Sequence, residues 1–223
     1  MALVVVKLGG RIAEGSTARV LELAEGGDQV VVVHGAGPQI SQEMEKRGLE
    51  VRFVRGRRVT SPEAIQVVRE SLGAINAALV AGIGPQAVGL AGDEIGLAAE
   101  VRDPELGLVG DPMPSRPAAV LDALAAGRIP VVTPLAAGPL NVNADEMASA
   151  LAVGLGAARI DFVTDVPGVY LDGKVLGAIA AADAERLLAD GVFDGGIVPK
   201  LEAALAAAKG GVKAAIGETE VHP

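Results

Sequence analysis

NVNADEMASALA, residues 141–152, joins a short polar turn to an Ala-rich helical run, and its reading decides how the rest of the chain is read. Asn143 suits a helix start, because an asparagine side chain caps free backbone N–H groups, and Asp145 in the first turn suits the positive end of the helix dipole. Capping leaves Asn141 unexplained, together with the Pro139-Leu140 pair that delivers the chain to it. Something else in the chain must require an amide and a carboxylate at this place.

Composition narrows what that can be. The 223 residues are 50% hydrophobic, enough for one large core or two closely joined lobes. A net charge of -9 argues against a partner recognised by broad phosphate neutralisation, so no nucleic acid is expected. The absence of cysteine removes disulfides, thiolate catalysis and cysteine-based zinc sites, and His34 with His222 cannot form a histidine cluster. MALVVVKLGGR at the start has a lysine inside a short apolar run and reads as a first strand, not a signal peptide. No uninterrupted apolar run approaches the roughly 18 residues of a membrane span, so a soluble, cytoplasmic protein with no membrane partner is expected. With 2% aromatics and 30 glycines, the core must be built from Val, Leu, Ile and Ala.

Short β-branched runs (LVVVKL, QVVVVH, AVGL, PVVTP, RIDFV, VKAAI) alternate with segments of helical periodicity. That alternation predicts an α/β fold, a mainly parallel central sheet with helices on both faces. Ser61-Pro62-Glu63 combines an N-cap, a proline at the first helical position and an early acid, starting a helix toward Val80. Ser115 is expected to cap the next helix, which ends before Gly127, and AADAERLLADG ends at Gly191 in the same way. VRFVRGRRVT, with its central Arg55-Gly56, predicts a hairpin or sharp loop. In such sheets ligands bind beyond the carboxyl ends of the strands, which directs attention to the loops after Lys7, after His34, around Asp93, from Pro134 to Asp145, and from Thr164 to Val169.

VVVHGAGPQI lacks the third glycine of a dinucleotide fingerprint, since Ile40 stands there. Gly35 and Gly37 would still let backbone N–H groups approach an anion at a helix start, although a tight strand-to-helix turn explains them equally well. His34 reads as a structural residue at a strand end. Lys7, at the end of an apolar strand, is costly to bury without a partner. It either snorkels at a sheet edge or meets a phosphate for which Gly9 and Gly10 leave room. Lys200 near a helix start is unfavourable for the dipole, which solvent exposure or the same anion would explain. Two lysines aimed at one site repel each other unless a carboxylate holds them, and Asp145 is the candidate. No GxxxxGKS/T signature occurs, so a kinase of this kind would be unrelated to the P-loop enzymes.

KLGG, HGAGP, GRRVT, PLNVNADEMASALA, TDVPGV and GGIVPK follow one another in the order and spacing of the amino-acid kinase family, which the chain resembles from Leu3 to about Ile216. The resemblance is nearest to members that phosphorylate N-acetyl-L-glutamate in arginine biosynthesis, using ATP with Mg2+ carried on the nucleotide. It implies an open αβα sandwich of the carbamate kinase type, with residues 1–156 as an amino-acid-binding, dimerising lobe and 157–223 as an ATP-binding lobe on one continuous sheet. It also implies that Lys7 and Lys200 serve the transition state and that Asp145 orients them. Gly10, Gly35, Ala36, Arg58 and Asn141 would hold the acetylated amino acid, Arg58 pairing with its α-carboxylate. Gly9, Asp165, Val166, Gly168, Val169, Tyr170, Phe193 and Asp194 would line the nucleotide.

The sequence departs from the family pattern in four places. Ala36 replaces a glycine, LAGDEIG around Asp93 lacks a usual lysine and final glycine, Pro199 precedes Lys200, and the chain ends at Pro223, earlier than relatives usually do. The first strand begins close to the start, which predicts a homodimer without arginine feedback. Three rivals stand beside this reading: a sister kinase acting on carrier-bound aminoadipate or glutamate, a non-catalytic amino-acid-binding regulator, and a Rossmann oxidoreductase that would leave both lysines idle.

Overall fold

The structure is a computed structural model that describes residues 1–9, 16–101 and 103–222. Its centre is an eight-stranded sheet. In chain order the strands are β1 (Leu3–Leu8), β2 (Gln29–His34), β3 (Ala87–Leu90), β4 (Ile129–Val132), β5 (Arg159–Val163), β6 (Ala178–Ala180), β7 (Lys213–Ile216) and β8 (Thr219–His222). They lie side by side in the order β6-β8-β7-β5-β1-β2-β4-β3. The run from β3 to β7 is parallel throughout, and β8 turns back antiparallel on β7 with β6 parallel to β8.

Seven helices cover the sheet among the described residues: α1 (Ser16–Glu25), α2 (Gly37–Lys46), α3 (Pro62–Ile83), α4 (Ala118–Ala125), α5 (Ala144–Leu155), α6 (Ala181–Ala189) and α7 (Ile197–Lys209). The two-residue period of the strands sorts the layers. Val4, Val6, Leu8, Val30 and Val32 meet Val20 and Leu23 of α1 and Leu79 and Ile83 of α3. Val5, Val31, Val33, Ile160 and Phe162 meet Met147 and Leu151 of α5, Val120 of α4 and Leu201 of α7. A third cluster joins Ile40 and Met44 of α2 to Val68 and Leu72 of α3. The small residues Ala148, Ala152, Ala203 and Ala204, all buried, let α5 and α7 approach closely.

Local chemistry explains the boundaries. Ser61 caps α3, its Oγ accepting from Ala64 N at 3.1 Å, and the helix runs three residues past Val80. Ser115 does not cap α4: the helix begins only after Pro117, and the Ser115 hydroxyl is buried with no partner among the described residues. The hairpin pairs Phe53–Val54 with Arg57–Arg58 across Arg55 (φ 49) and Gly56 (φ 76), the two positive φ values of a tight two-residue turn. By length and composition α3 would also suffice to cross a membrane, despite Glu63, Arg69 and Glu70. Its Ala64, Val67, Val68, Leu72, Leu79 and Ile83 are buried, as in a core helix.

Candidate active site

Lys7 falls on the strand face that carries Val5, so it points toward α5 and not along the glycine loop that follows it. Its Nζ lies 2.8 Å from Oδ1 of Asp145, in the first turn of α5. Lys200, at the fourth position of α7, brings its Nζ to 3.7 Å from the other oxygen, Oδ2. Asn143 fixes this turn, its Oδ1 accepting from the N–H groups of Asp145 at 2.8 Å and Glu146 at 3.2 Å. The Ser149 hydroxyl ties α5 to α7 by donating to Ala203 O at 2.7 Å. Pro199 lies in the first turn of α7, where its missing N–H is tolerated, and Lys200 is helical directly after it.

Burial pushes the Lys7 ammonium below its usual pKa, and the like charge of Lys200 acts in the same direction, while Asp145 opposes both. One carboxylate thus holds two cations together at the carboxyl end of β1, where the sheet order reverses between β1 and β5.

A cavity of about 220 Å³ opens beside this centre, and Lys7, Gly35, Ala36, Arg58, Asn141 and Asp145 all line it. Arg58 is 5% exposed. Its Nη2 donates to Gly37 O at 2.9 Å and Ser41 Oγ at 2.8 Å, Nη1 reaches only Met44 Sδ at 3.4 Å, and the guanidinium stacks 4.6 Å from the Phe53 ring centre. No acidic side chain faces it among the described residues, and burial alone lowers its pKa. The guanidinium is a desolvated cation whose Nη1 edge has only a weak acceptor. Asn141 is held by its Nδ2 donating to Thr60 Oγ1 at 3.0 Å, while the Thr60 hydroxyl donates to Arg58 O at 2.9 Å.

Gly35 differs from the sequence expectation. Its N–H already donates to Leu8 O at 3.0 Å, so it offers no donor to an anion. Ala36, Gly37 and Pro38 line the cavity at the start of α2, where first-turn N–H groups lack intrahelical acceptors and the dipole is positive. Ala36 is buried among Ile40, Met44 and Leu72, which accounts for the methyl that replaces a glycine hydrogen. His34 packs away from the cavity, taking a hydrogen bond from Asn76 Nδ2 at 3.1 Å, and burial lowers its pKa to about 4.

The residues expected to line a nucleotide divide into two groups. Asp165, Val166, Tyr170 and Asp194 are exposed. Gly168 and Val169 are buried: Val169 N donates to Thr219 Oγ1 at 2.9 Å, and a Cβ on Gly168 would stand 2.5 Å from the same hydroxyl. The Val169 and Phe193 side chains belong to the core, so each offers a ligand little beyond its backbone. Gly9 has open space where a Cβ would be, while Gly10 lies outside the described residues.

Sequence reasoning missed Thr60, which the RVT stretch could have suggested, and Arg57. Arg57 Nη2 contacts both oxygens of Glu146 at 3.1 and 3.0 Å, and its Nη1 pairs with Asp111. Asp93 is taken up by an ion pair with Arg69. Among the described residues no group of three or more His, Cys, Asp or Glu side chains could hold a metal ion.

Two lysines on one carboxylate, at the open end of a largely parallel sheet, form a positive centre suited to neutralising charge on an anion. The chain belongs to the amino acid kinase family, which its residues 2–217 match. Acetylglutamate kinase from Beutenbergia cavernae is 44% identical, over 95% of this chain and 76% of that one. Acetylglutamate kinase from Methanopyrus kandleri is 42% identical, over 95% and 93%. Among solved structures, smu.665 from Streptococcus mutans UA159 superposes with a TM-score of 0.88 at 27% identity, covering 99% of this chain and 98% of its own. Carbamate kinase from Giardia lamblia shares the fold at 15% identity, with a TM-score of 0.75 over 99% and 98% of the two chains.

Proposed function

We propose that this kinase transfers the γ-phosphoryl group of ATP to the side-chain carboxylate of N-acetyl-L-glutamate, giving N-acetyl-L-glutamyl 5-phosphate in arginine biosynthesis. The observation that carries the reading is the Lys7–Asp145–Lys200 centre set against a cavity that contains the buried Arg58, which has no acidic partner among the described residues. The names of the relatives support the substrate.

Each residue has a task that follows from its surroundings. A side-chain carboxylate of pKa about 4.3 is already ionised at neutral pH, so the nucleophile needs no general base and none of the two histidines or absent cysteines is missed. Arg58 presents its open edge to the α-carboxylate, for which a guanidinium fork is suited. Asn141, oriented by Thr60, offers an amide to the acetylamino group, and the start of α2 supplies backbone donors. Lys7 and Lys200 neutralise charge that builds on the phosphoryl oxygens, and Asp145 keeps the two ammonium groups apart and aimed.

ATP supplies the phosphoryl group, with Mg2+ carried on its phosphates. In this reading the segment before Gly156 holds the amino acid, and the loops after β5 and before α7, with Asp165, Val166, Tyr170 and Asp194, face the nucleotide. Trapping the product with hydroxylamine tests the substrate. Incubation with Mg-ATP should yield hydroxamate from N-acetyl-L-glutamate and far less from free glutamate or aminoadipate; equal yields from all three acids would refute the assignment.

A further inference from the structure

Successive residues of a strand point to opposite sides, and in the hairpin strand Arg57–Arg58 that alternation separates two arginines with different surroundings. Arg58 enters the acid cavity. Arg57 turns toward α5 and meets Glu146, the residue directly after the catalytic carboxylate, together with Asp111 of the strand Asp111–Pro112. These partners lie 89 and 54 positions away in sequence, so a single guanidinium joins three separate segments.

We infer that Arg57 is a positioning residue: through Glu146 and Asp111 it locks the hairpin that carries Arg58 to the helix turn that carries Asp145, keeping the acid-binding cation and the phosphoryl-transfer centre in register.

Three observations separate this from an ordinary surface ion pair, which is worth little. Arg57, Asp111 and Glu146 side chains are only 27%, 18% and 25% exposed. Glu146 sits on the same capped turn as Asp145, because Asn143 Oδ1 accepts from both N–H groups, so force on one is felt by the other. Finally, Arg57 lines both the substrate cavity and a second one of about 520 Å³ between α5 and α7, where Asp111, Glu146 and Glu202 gather. Burial raises the Glu146 pKa, with Asp111 and Glu202 adding to the effect and Arg57 opposing it. Arg57 thus stands where the two cavities meet, beside the turn that carries Asp145.

The inference rests on the reading of the cavity as the acid site, and two readouts keep the failures apart. In steady-state assays Arg57→Ala should raise KM for N-acetyl-L-glutamate about ten-fold or more and lower kcat, with KM for ATP changed by less than about two-fold. Arg57→Lys should recover part of the loss, because an ammonium satisfies one acid at a time. Glu146→Gln, close in shape to the wild type, should show the same split more weakly, and it decides the matter if Arg57→Ala does not fold. Amide hydrogen exchange should accelerate at residues 53–58 and 144–148 in the variants while β1 and β2 stay protected.

Equal changes in both KM values, or unchanged exchange at residues 144–148, would overturn the positioning role. A wild-type protein that makes no product from N-acetyl-L-glutamate would overturn the substrate reading instead, and the exchange measurement would then decide the role of Arg57 by itself.

Discussion

Lys7 Nζ and Asp145 Oδ1 stand 2.8 Å apart with their side chains only 5% and 9% exposed, a buried ion pair at the open end of the central strand. Such a pair is weak ground for stability, since desolvation offsets most of the attraction, and its placement therefore points to chemistry. Substituting Lys7→Ala or Lys200→Ala should lower kcat by about 10²-fold or more, measured by ADP release with saturating substrates. Near wild-type turnover in both would remove the lysines from the mechanism.

Asp145→Asn leaves two ammonium groups facing each other with no counter-charge. Burial already lowers the Lys7 pKa, Lys200 lowers it further, and Asp145 is the influence that raises it. In the proposed mechanism Lys7 acts in its protonated form, so activity should fall as pH rises through a pKa below the ordinary lysine value. In Asp145→Asn that alkaline limb should move to lower pH. A pH-kcat profile of the two proteins checks the direction, and an unmoved limb would contradict it.

His34 gives a second pH dependence, in stability. Its folded pKa of about 4 lies below its ordinary 6.5, so only the unfolded chain takes up the proton between those values. Stability is therefore fully present above pH 6.5 and is lost as pH falls toward 4, by about 3 kcal/mol in all. Urea denaturation of His34→Gln should show a flatter profile over this window than the wild type.

Arg58→Lys keeps a positive charge but loses the fork, so KM for the acid should rise by about 10-fold or more with KM for ATP unchanged. Initial rates with each substrate varied in turn are sufficient to see the split.

Gly217 has φ +55, and a Cβ there would stand 2.2 Å from the carbonyl oxygen of Pro167. Gly217→Ala should destabilise the protein by about 2 kcal/mol or more and raise KM for ATP, because the displaced segment is the loop containing Gly168 and Val169. Thermal denaturation and an ATP titration together test both parts.

Much of this architecture was legible in the sequence because the strands that matter are long and apolar. LVVVKL and QVVVVH announce a buried parallel sheet, and Asn143 with Asp145 announces the start of α5. β6 and β8 were not legible, since AIA and TEVH are short segments without a long apolar run, and their pairing comes from each other and from β7. Ser115 misled because a capping hydroxyl is a local signal, and Pro117 two residues on sets where the helix can begin. At the site, Lys7, Asp145 and Lys200 stood out as charges in apolar surroundings. The Gly35 N–H, spent on Leu8 O, and the Arg57 contacts to Glu146 and Asp111 depend on partners distant in sequence, which spacing cannot show.

The most direct test of the account is ³¹P NMR of wild-type protein and Lys7→Ala, each mixed with Mg-ATP and N-acetyl-L-glutamate. The account predicts an acyl-phosphate resonance growing with ADP in the wild type and essentially none in Lys7→Ala. ADP and inorganic phosphate without an acyl phosphate in the wild type, or equal acyl-phosphate signals from both proteins, would contradict it.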